Sequence, residues 1–333
     1  MTLSDQKYGA AITLASLLVF TMGAALFLGY APLGVADVLW ALGGVGDERH
    51  VFIVQEIRLP RILLGAMVGG SLGLAGAAIQ GLLRNPLADP SVIGISASAG
   101  LGAVVAIYYG FAAMAAIAIP VFAIGFSITA MLILVWLAGK DASILTLILA
   151  GVAISSLAAA LTSLAMNLSD NPFSLNDIIL WLLGSLANRS YTELFLAGPF
   201  MVVGWALLIA ARGSLPALSL GEDAAASLGV DLRRLRLQII FGAALSVGGS
   251  VAVSGAIGFV GLVAPHLVRP FVGHDPGRLL VPSAFAGALL LVLADIGVRV
   301  LPGETELKLG VVTALLGAPF FLWLIIYTRR SMR

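Results

Sequence analysis

The chain has 333 residues, of which 60% are hydrophobic and 11% charged, with a formal net charge of +1 and a mean hydropathy of +1.07. A soluble domain carries about a quarter charged residues, so this composition describes an integral membrane protein and leaves no stretch for a soluble enzymatic domain. The charge balance supplies no field to attract nucleic acid, the absence of cysteine excludes disulfides and thiolate metal sites, and the scattered His50, His266 and His274 do not make a metal cage.

In chain order the apolar runs lie at 8–30, 61–83, 91–110, 114–138, 143–166, 192–211, 237–253, 256–267, 279–299 and 309–327. At about 20 residues per membrane helix, they predict an all-α protein of about ten transmembrane helices. The first run is too long for a signal-peptide core and lacks a clear cleavage site, so it reads as an uncleaved span. The second carries Gly65, Gly69, Gly73, Ala77 and Gly81, a small residue at every fourth position. Close helix packing explains such a stripe, and the lining of a substrate passage is the competing reading. Gly69-Gly70-Ser71, Gly76-Ala77 and Pro86 recur 179 positions later as Gly248-Gly249-Ser250, Gly255-Ala256 and Pro265. Duplicated halves, common in transporters, produce this echo, and so does coincidence in a chain of 39 glycines. The stretch 237–265 is too long for one helix and short for two. Its glycines predict a full span followed by a short, broken one.

With the N-terminus inside, twelve of the 18 Lys and Arg fall on the cytoplasmic side, as the positive-inside rule requires, and both termini are cytoplasmic. Arg49, Arg58, Arg61, Arg189, Arg299 and Lys308 are then outside. Among the connectors, RNPLADP (84–90) places Asn85 as a C-terminal cap, and Asp89 before Pro90 as an N-cap with proline at the first helical position. GHDPGR (273–278) repeats this chemistry with Asp275 and Pro276. His266, in PHLVRP, has no second histidine or carboxylate at helical spacing, which favours a structural histidine over a ligand or base.

The longest polar stretch in the second half is SLGEDAAASLGVDLRRLR, residues 219–236. Ser219 and Glu222 have capping-box spacing, Leu220, Ala224 and Leu228 recur at four-residue intervals, and Gly229 ends the helix. Asp231 caps a second helix, whose Arg233, Arg234 and Arg236 precede the next span. The result is a cytoplasmic helix pair. It is either an interfacial element held by lipid headgroups or a docking surface for a cytoplasmic protein, to which the small Ala224, Ala225 and Ala226 are better suited than to lipid.

A secondary transporter or channel for a small solute, working without an ATPase, is the alternative function. A coupled carrier keeps ionisable groups deep in its spans, whereas here Asp295 is the one carboxylate well inside a span and Arg299 is its i+4 partner. An intramembrane enzyme needs a dyad or metal pair, and no such pattern occurs.

Several motifs, taken in order, resemble the permease subunits of ABC importers for iron-siderophores, haem and cobalamin. They are RLPRIL (58–63), GAAIQGLLRNPLADPSVIGIS (76–96), LILAGVAISSL (147–157), LGEDAAASLGVD (220–231), GAIGFVGLVAPHLVRPFVGHD (255–275), ADIGVR (294–299) and GVVTALLGAPFF (310–321). The resemblance covers nearly the whole chain. It implies a single transmembrane permease domain over 1–333, paired with a second copy of itself around a central translocation pathway in the inner membrane. It implies that 219–234 are coupling helices, with Ser219, Leu220, Gly221, Glu222, Ala225, Leu228, Gly229 and Asp231 facing one of two cytoplasmic ATP-binding subunits. It implies that Arg58, Arg61 and Arg299 hold carboxylates of a periplasmic substrate-binding protein, a task that suits a planar guanidinium fork; snorkelling to lipid phosphate is the alternative. By position it assigns Ser143, Ile144 and Leu145 to an inner gate, and Leu147, Ala150, Ser155 and Thr162 to the pathway. Lys308 departs from the family, many members of which have proline there at a helix start. The chain has no G-x-x-x-x-G-K-[ST] loop, since its Gly139-Lys140 lacks the flanking residues. ATP and Mg are therefore expected on the partner, with no cofactor or metal in this chain.

Overall fold

A computed structural model describes residues 5–115, 117–139, 144–301 and 306–331. Among the described residues, the helices longer than four residues are α1 (Asp5–Phe27), α2 (Val35–Leu42), α3 (Glu48–Leu82), α4 (Ile95–Tyr108), α5 (Ala118–Ala138), α6 (Ile144–Asn167), α7 (Pro172–Leu182), α8 (Tyr191–Ala210), α9 (Glu222–Ser227), α10 (Leu232–Ser254), α11 (Val260–Val268), α12 (Pro276–Val300) and α13 (Leu309–Ser331). Among the described residues α1, α3, α5, α6, α8, α10 and α12 contain stretches long and apolar enough to cross a membrane. The other three expected runs form the shorter apolar helices Ile95–Tyr108, Val260–Val272 and Leu309–Leu324. The anticipated break in 237–265 is present: α10 stops at Gly255, whose φ of +69° no other residue adopts easily, and α11 restarts at Val260.

Two helices form the centre. In its most apolar window α3 is 83% buried and α10 78%, against 17% for α6. The four-residue stripe on α3 explains its share. A Cβ on Gly69 would overlap the carbonyl of Gly287 in α12, and one on Gly73 would overlap that of Ser283. Gly76 meets the backbone of Gly261 in α11 in the same way. The stripe is therefore a packing device, with backbones in contact where a side chain would hold them apart. Along this antiparallel pair the contacts run in one register, from Arg61 opposite Asp295 through Gly69 and Gly287 to Gly81 beside Pro276.

Several polar groups inside the apolar layer are satisfied locally, though Ser283 Oγ and Trp181 Nε1 have no hydrogen-bond partner among the described residues. Ser246, Ser250 and Ser254 of α10 each donate to a carbonyl four residues back, and Trp205 Nε1 of α8 donates to Ser71 Oγ of α3 at 2.8 Å. The first half of α3 is π-helical over Ile53–Arg58, next to Pro60, which has no N–H for the regular ladder. The connectors hold two small corrections. Arg84, at φ +50°, takes the left-handed position expected of Asn85, whose Oδ1 instead accepts from Leu87 N. Lys308 does not prevent a helix start, because its carbonyl accepts from Val311 N and Val312 N and α13 begins at Leu309.

Gly69→Ala is expected to cost about 1–3 kcal/mol through forced separation of α3 and α12. Gly125→Ala in α5, where a Cβ meets nothing within 4 Å, should be neutral or stabilising by up to about 1 kcal/mol. Thermal unfolding of the two purified variants in one detergent checks the contrast.

Candidate functional site

The helix pair at 219–234 forms, but not by the expected cap. Pro216 starts a turn over Leu215–Leu218 that leaves Ser219 in a helical conformation, with its hydroxyl donating to Pro216 O. An N-cap requires extended backbone, so the Ser219–Glu222 capping box does not exist, and Gly221, at φ +106°, precedes α9 instead. Glu222 is free to pair with Arg236 at 2.8 Å, tying the first helix to the start of α10. Gly229, at φ +85°, ends the first helix, and Asp231 Oδ1 accepts from Arg234 N at 2.9 Å, as the sequence indicates. Ala225 points inward and is fully buried in the main core, so it anchors the pair and does not belong to an open docking face. Leu220 and Leu228 are 68% and 66% exposed, with their side chains presented outward.

At the other end of α3 lie the three singled-out arginines. All are buried: Arg58 is 4% exposed, Arg61 8% and Arg299 5%. The guanidiniums turn inward, where internal groups engage most of their donors; Arg299 Nη2 is buried with no hydrogen-bond partner among the described residues. Arg61 donates Nε and Nη2 to Asp295 at 2.8–3.2 Å, and its far edge meets Glu306, with Nη1 to Oε2 at 3.4 Å. Arg299 Nε lies 3.0 Å from Asp295 Oδ2, the expected i,i+4 pair, and its Nη1 donates to the carbonyls of Ala25 and Leu28. Arg58 donates to the carbonyls of Leu26 and Ala31. Two arginines thus cap the C-terminal end of α1, where helix carbonyls lack partners. Sequence spacing shows the pair of Asp295 with Arg299. It cannot show that Arg61, 234 positions away, shares the same carboxylate, nor that Glu306 completes the cluster.

Ser143 lies outside the described residues. On α6, Leu145 is exposed and Ile144 half-buried, but Leu147 is buried on the face that also carries Gly151 and Ala158, so it packs within the subunit and does not line an open passage. Ala150 packs against the main core, Ser155 Oγ reaches Ser91 O at 3.4 Å, and Thr162 is half-buried. The free face instead carries Leu149, Val152, Ser156, Ala160 and Ser163. Helical spacing from Gly151, which sits against the backbone of Val92 and Ile93, would have separated the two faces. His266 stands edge-on to Phe320 with ring centroids 6.2 Å apart, a packing position. Among the described residues no three His, Cys, Asp or Glu groups could share a metal ion. The helix α7 is not among the apolar runs, although Asn171-Pro172 is an N-cap signature; Asn171 Oδ1 accepts from Phe173 N.

Membrane-length helices around a glycine-packed centre, with short polar elements only at their ends, define a polytopic all-α membrane protein. Residues 17–327 match the FecCD transport family, and the chain belongs to that family. It is 43% identical to the vitamin B12 import system permease protein of Vibrio cholerae, over 84% of each chain. It is 36% identical to the iron(III) dicitrate transport system permease protein of Escherichia coli, over 91% of this chain and 94% of the relative. An ABC transporter permease protein of Bacillus subtilis is 38% identical over 99% of this chain and 97% of its own length. A solved structure of metal-chelate ABC transporter type, in an inward-facing conformation, superposes with a TM-score of 0.85 at 33% identity, covering 96% of this chain and 99% of that one. The chain is a multi-pass permease subunit and not itself an enzyme.

Removing the shared carboxylate should be severe. Asp295→Asn leaves Arg61 and Arg299 buried without full compensation, with an expected cost of about 3–5 kcal/mol. Glu222→Gln breaks a partly exposed pair and should cost less than about 1 kcal/mol. Detergent unfolding midpoints of the two variants measure the difference.

Proposed function

We propose that this permease is the membrane subunit of an ATP-driven importer that moves an iron complex, haem or cobalamin from a binding protein outside the cell into the cytoplasm. The observation that carries the reading is the helix pair at 219–234, which presents Leu220 and Leu228 to solvent while Ala225 and the Glu222–Arg236 pair fix it to the rigid core. An interfacial lipid anchor has no need of so firm a mount; a surface that must transmit force does. This end faces the cytoplasm, which places both termini inside and the arginine end outside, in agreement with the distribution of basic residues. Two ATP-binding subunits using ATP and Mg seat on the helix pairs of a homodimer, and the binding protein lands on the outer face above Arg58, Arg61 and Arg299.

The little-buried α6 and the exposed Leu315, Leu316, Leu322, Trp323 and Ile326 of α13 supply surfaces for the second copy and the passage between copies. The named cargoes of the relatives, vitamin B12 and iron(III) dicitrate, are metal chelates, and a passage between two subunits offers the width that such cargo needs. A proton-coupled carrier is disfavoured, because Asp295 is held between two arginines and is not available as a relay.

Two outcomes test the reading. Leu220→Asp with Leu228→Asp, both at exposed positions, should change stability by no more than about 0.5 kcal/mol while abolishing co-purification of the ATPase and ATP-driven uptake. In the chain's cysteine-free background, single cysteines at Ser156, Ala160 and Ser163 should react with a water-soluble thiol reagent in at least one nucleotide state, and cysteine at Leu147 should not. Protection of all three in every state would exclude α6 from the passage.

A further inference from the structure

We infer that Glu306 and Arg61 form a releasable latch on the outer end of α13, opened when a carboxylate of the docking partner takes the place of Glu306 on Arg61. The inference rests on the reading of this face as the docking surface for the binding protein. A guanidinium offers two edges for bidentate pairing. Arg61 gives its Nε/Nη2 edge to Asp295, whose side chain is 3% exposed and which also holds Arg299. That bond is interior and fixed. The Nη1/Nη2 edge goes to Glu306, whose side chain is 21% exposed, so it is the one carboxylate of the pair that an incoming partner can reach and displace.

Glu306 stands three residues before α13. At this end the helix is also held by Leu309, buried in the main core, by Gly310 lying against the backbone of Leu183 and Ala256, and by Gly310 N donating to Gly184 O at 3.2 Å, so the part free to move on release is the segment leading into α13 together with the lean of the helix beyond it. Beside α13 lies an apolar groove of about 250 Å³, open to the surface and walled by Val263, Leu290, Ala294, Leu316 and Phe320, so on that side no close packing within the subunit blocks a lean. At its middle, Gly317 rests on Phe259, a non-glycine residue held at φ +68° in the break between α10 and α11. Strained backbone of this kind persists where the surrounding packing imposes it and is concentrated at switch regions. The helix therefore has a tie at its outer end, a contact point at its centre and room to lean. Exchange of Glu306 for a partner carboxylate keeps Arg61 neutralised throughout, so release does not leave its charge unpaired.

The test uses the full transporter in nanodiscs, with spin labels on Phe52→Cys in α3 and Leu307→Cys beside the latch, both exposed positions, and labelled protein diluted with unlabelled. In the wild-type latch, adding binding protein should move or broaden the interlabel distance by about 2 Å or more. Glu306→Gln should show that altered distribution without binding protein and should bind the binding protein several-fold more tightly, because the internal competitor is gone. A purely structural role predicts lower stability without tighter binding. If Glu306→Gln keeps the wild-type distribution, or if docking leaves the wild-type distance unchanged, the latch is overturned. If the variant shifts α13 but neither protein binds the binding protein at all, Glu306 is shown to tie α13, while its release by docking is overturned together with the docking reading.

Discussion

The structure depends on one close approach, the crossing of α3 and α12 with no side chain between Gly69 and Gly287. Eight residues from each glycine toward the outer end are Arg61 and Asp295, and eight residues of helix are about 12 Å on both strands of the pair. The glycine contact therefore sets the register in which the guanidinium meets the carboxylate. Burying these charges is costly, and only good geometry with further hydrogen bonds offsets the loss of water. A crossing held open by even one methyl would disturb that geometry from the far end of a lever.

From this axis the rest is arranged by how much each helix must stay still. The central α3 and α10 are buried on nearly all sides, and the turn at Leu215–Leu218 and the buried Ala225 attach the helix pair to the same core. A push on Leu220 or Leu228 thus reaches the α3–α12 body directly. The helices assigned to the passage, α6 and α13, lie at the periphery, where fewer contacts resist motion.

Much of the membrane architecture was legible because hydrophobic length is a local property. Seven of the ten expected runs are helices long and apolar enough to cross a membrane, the other three are shorter apolar helices, and the broken stretch after α10 follows from its glycines. The short helices α2 and α7 are not legible in the sequence, since eight to eleven residues leave little periodicity and their burial comes from neighbours distant in sequence. The Ser219–Glu222 spacing misled because Pro216 starts a turn one step earlier, so local geometry overrode a correct motif pattern. Leu147 and Ala225 were placed on open faces when they point inward, a distinction that depends on which neighbour a helix leans against.

By itself, then, the sequence determined the solvent in which the chain lives, the order and type of its helices, the close-packing stripe on α3 and the helix pair at 219–234. Each rests on residues within a few turns of one another. Only the tertiary structure decided what the arginines do. Their identity and position suggest surface groups, but partners from α1, α12 and the segment before α13 surround them, and desolvation makes those internal carboxylates and carbonyls the ones they must hold. A charge in a sequence carries no record of the dielectric around it, and that is set only when distant segments pack together.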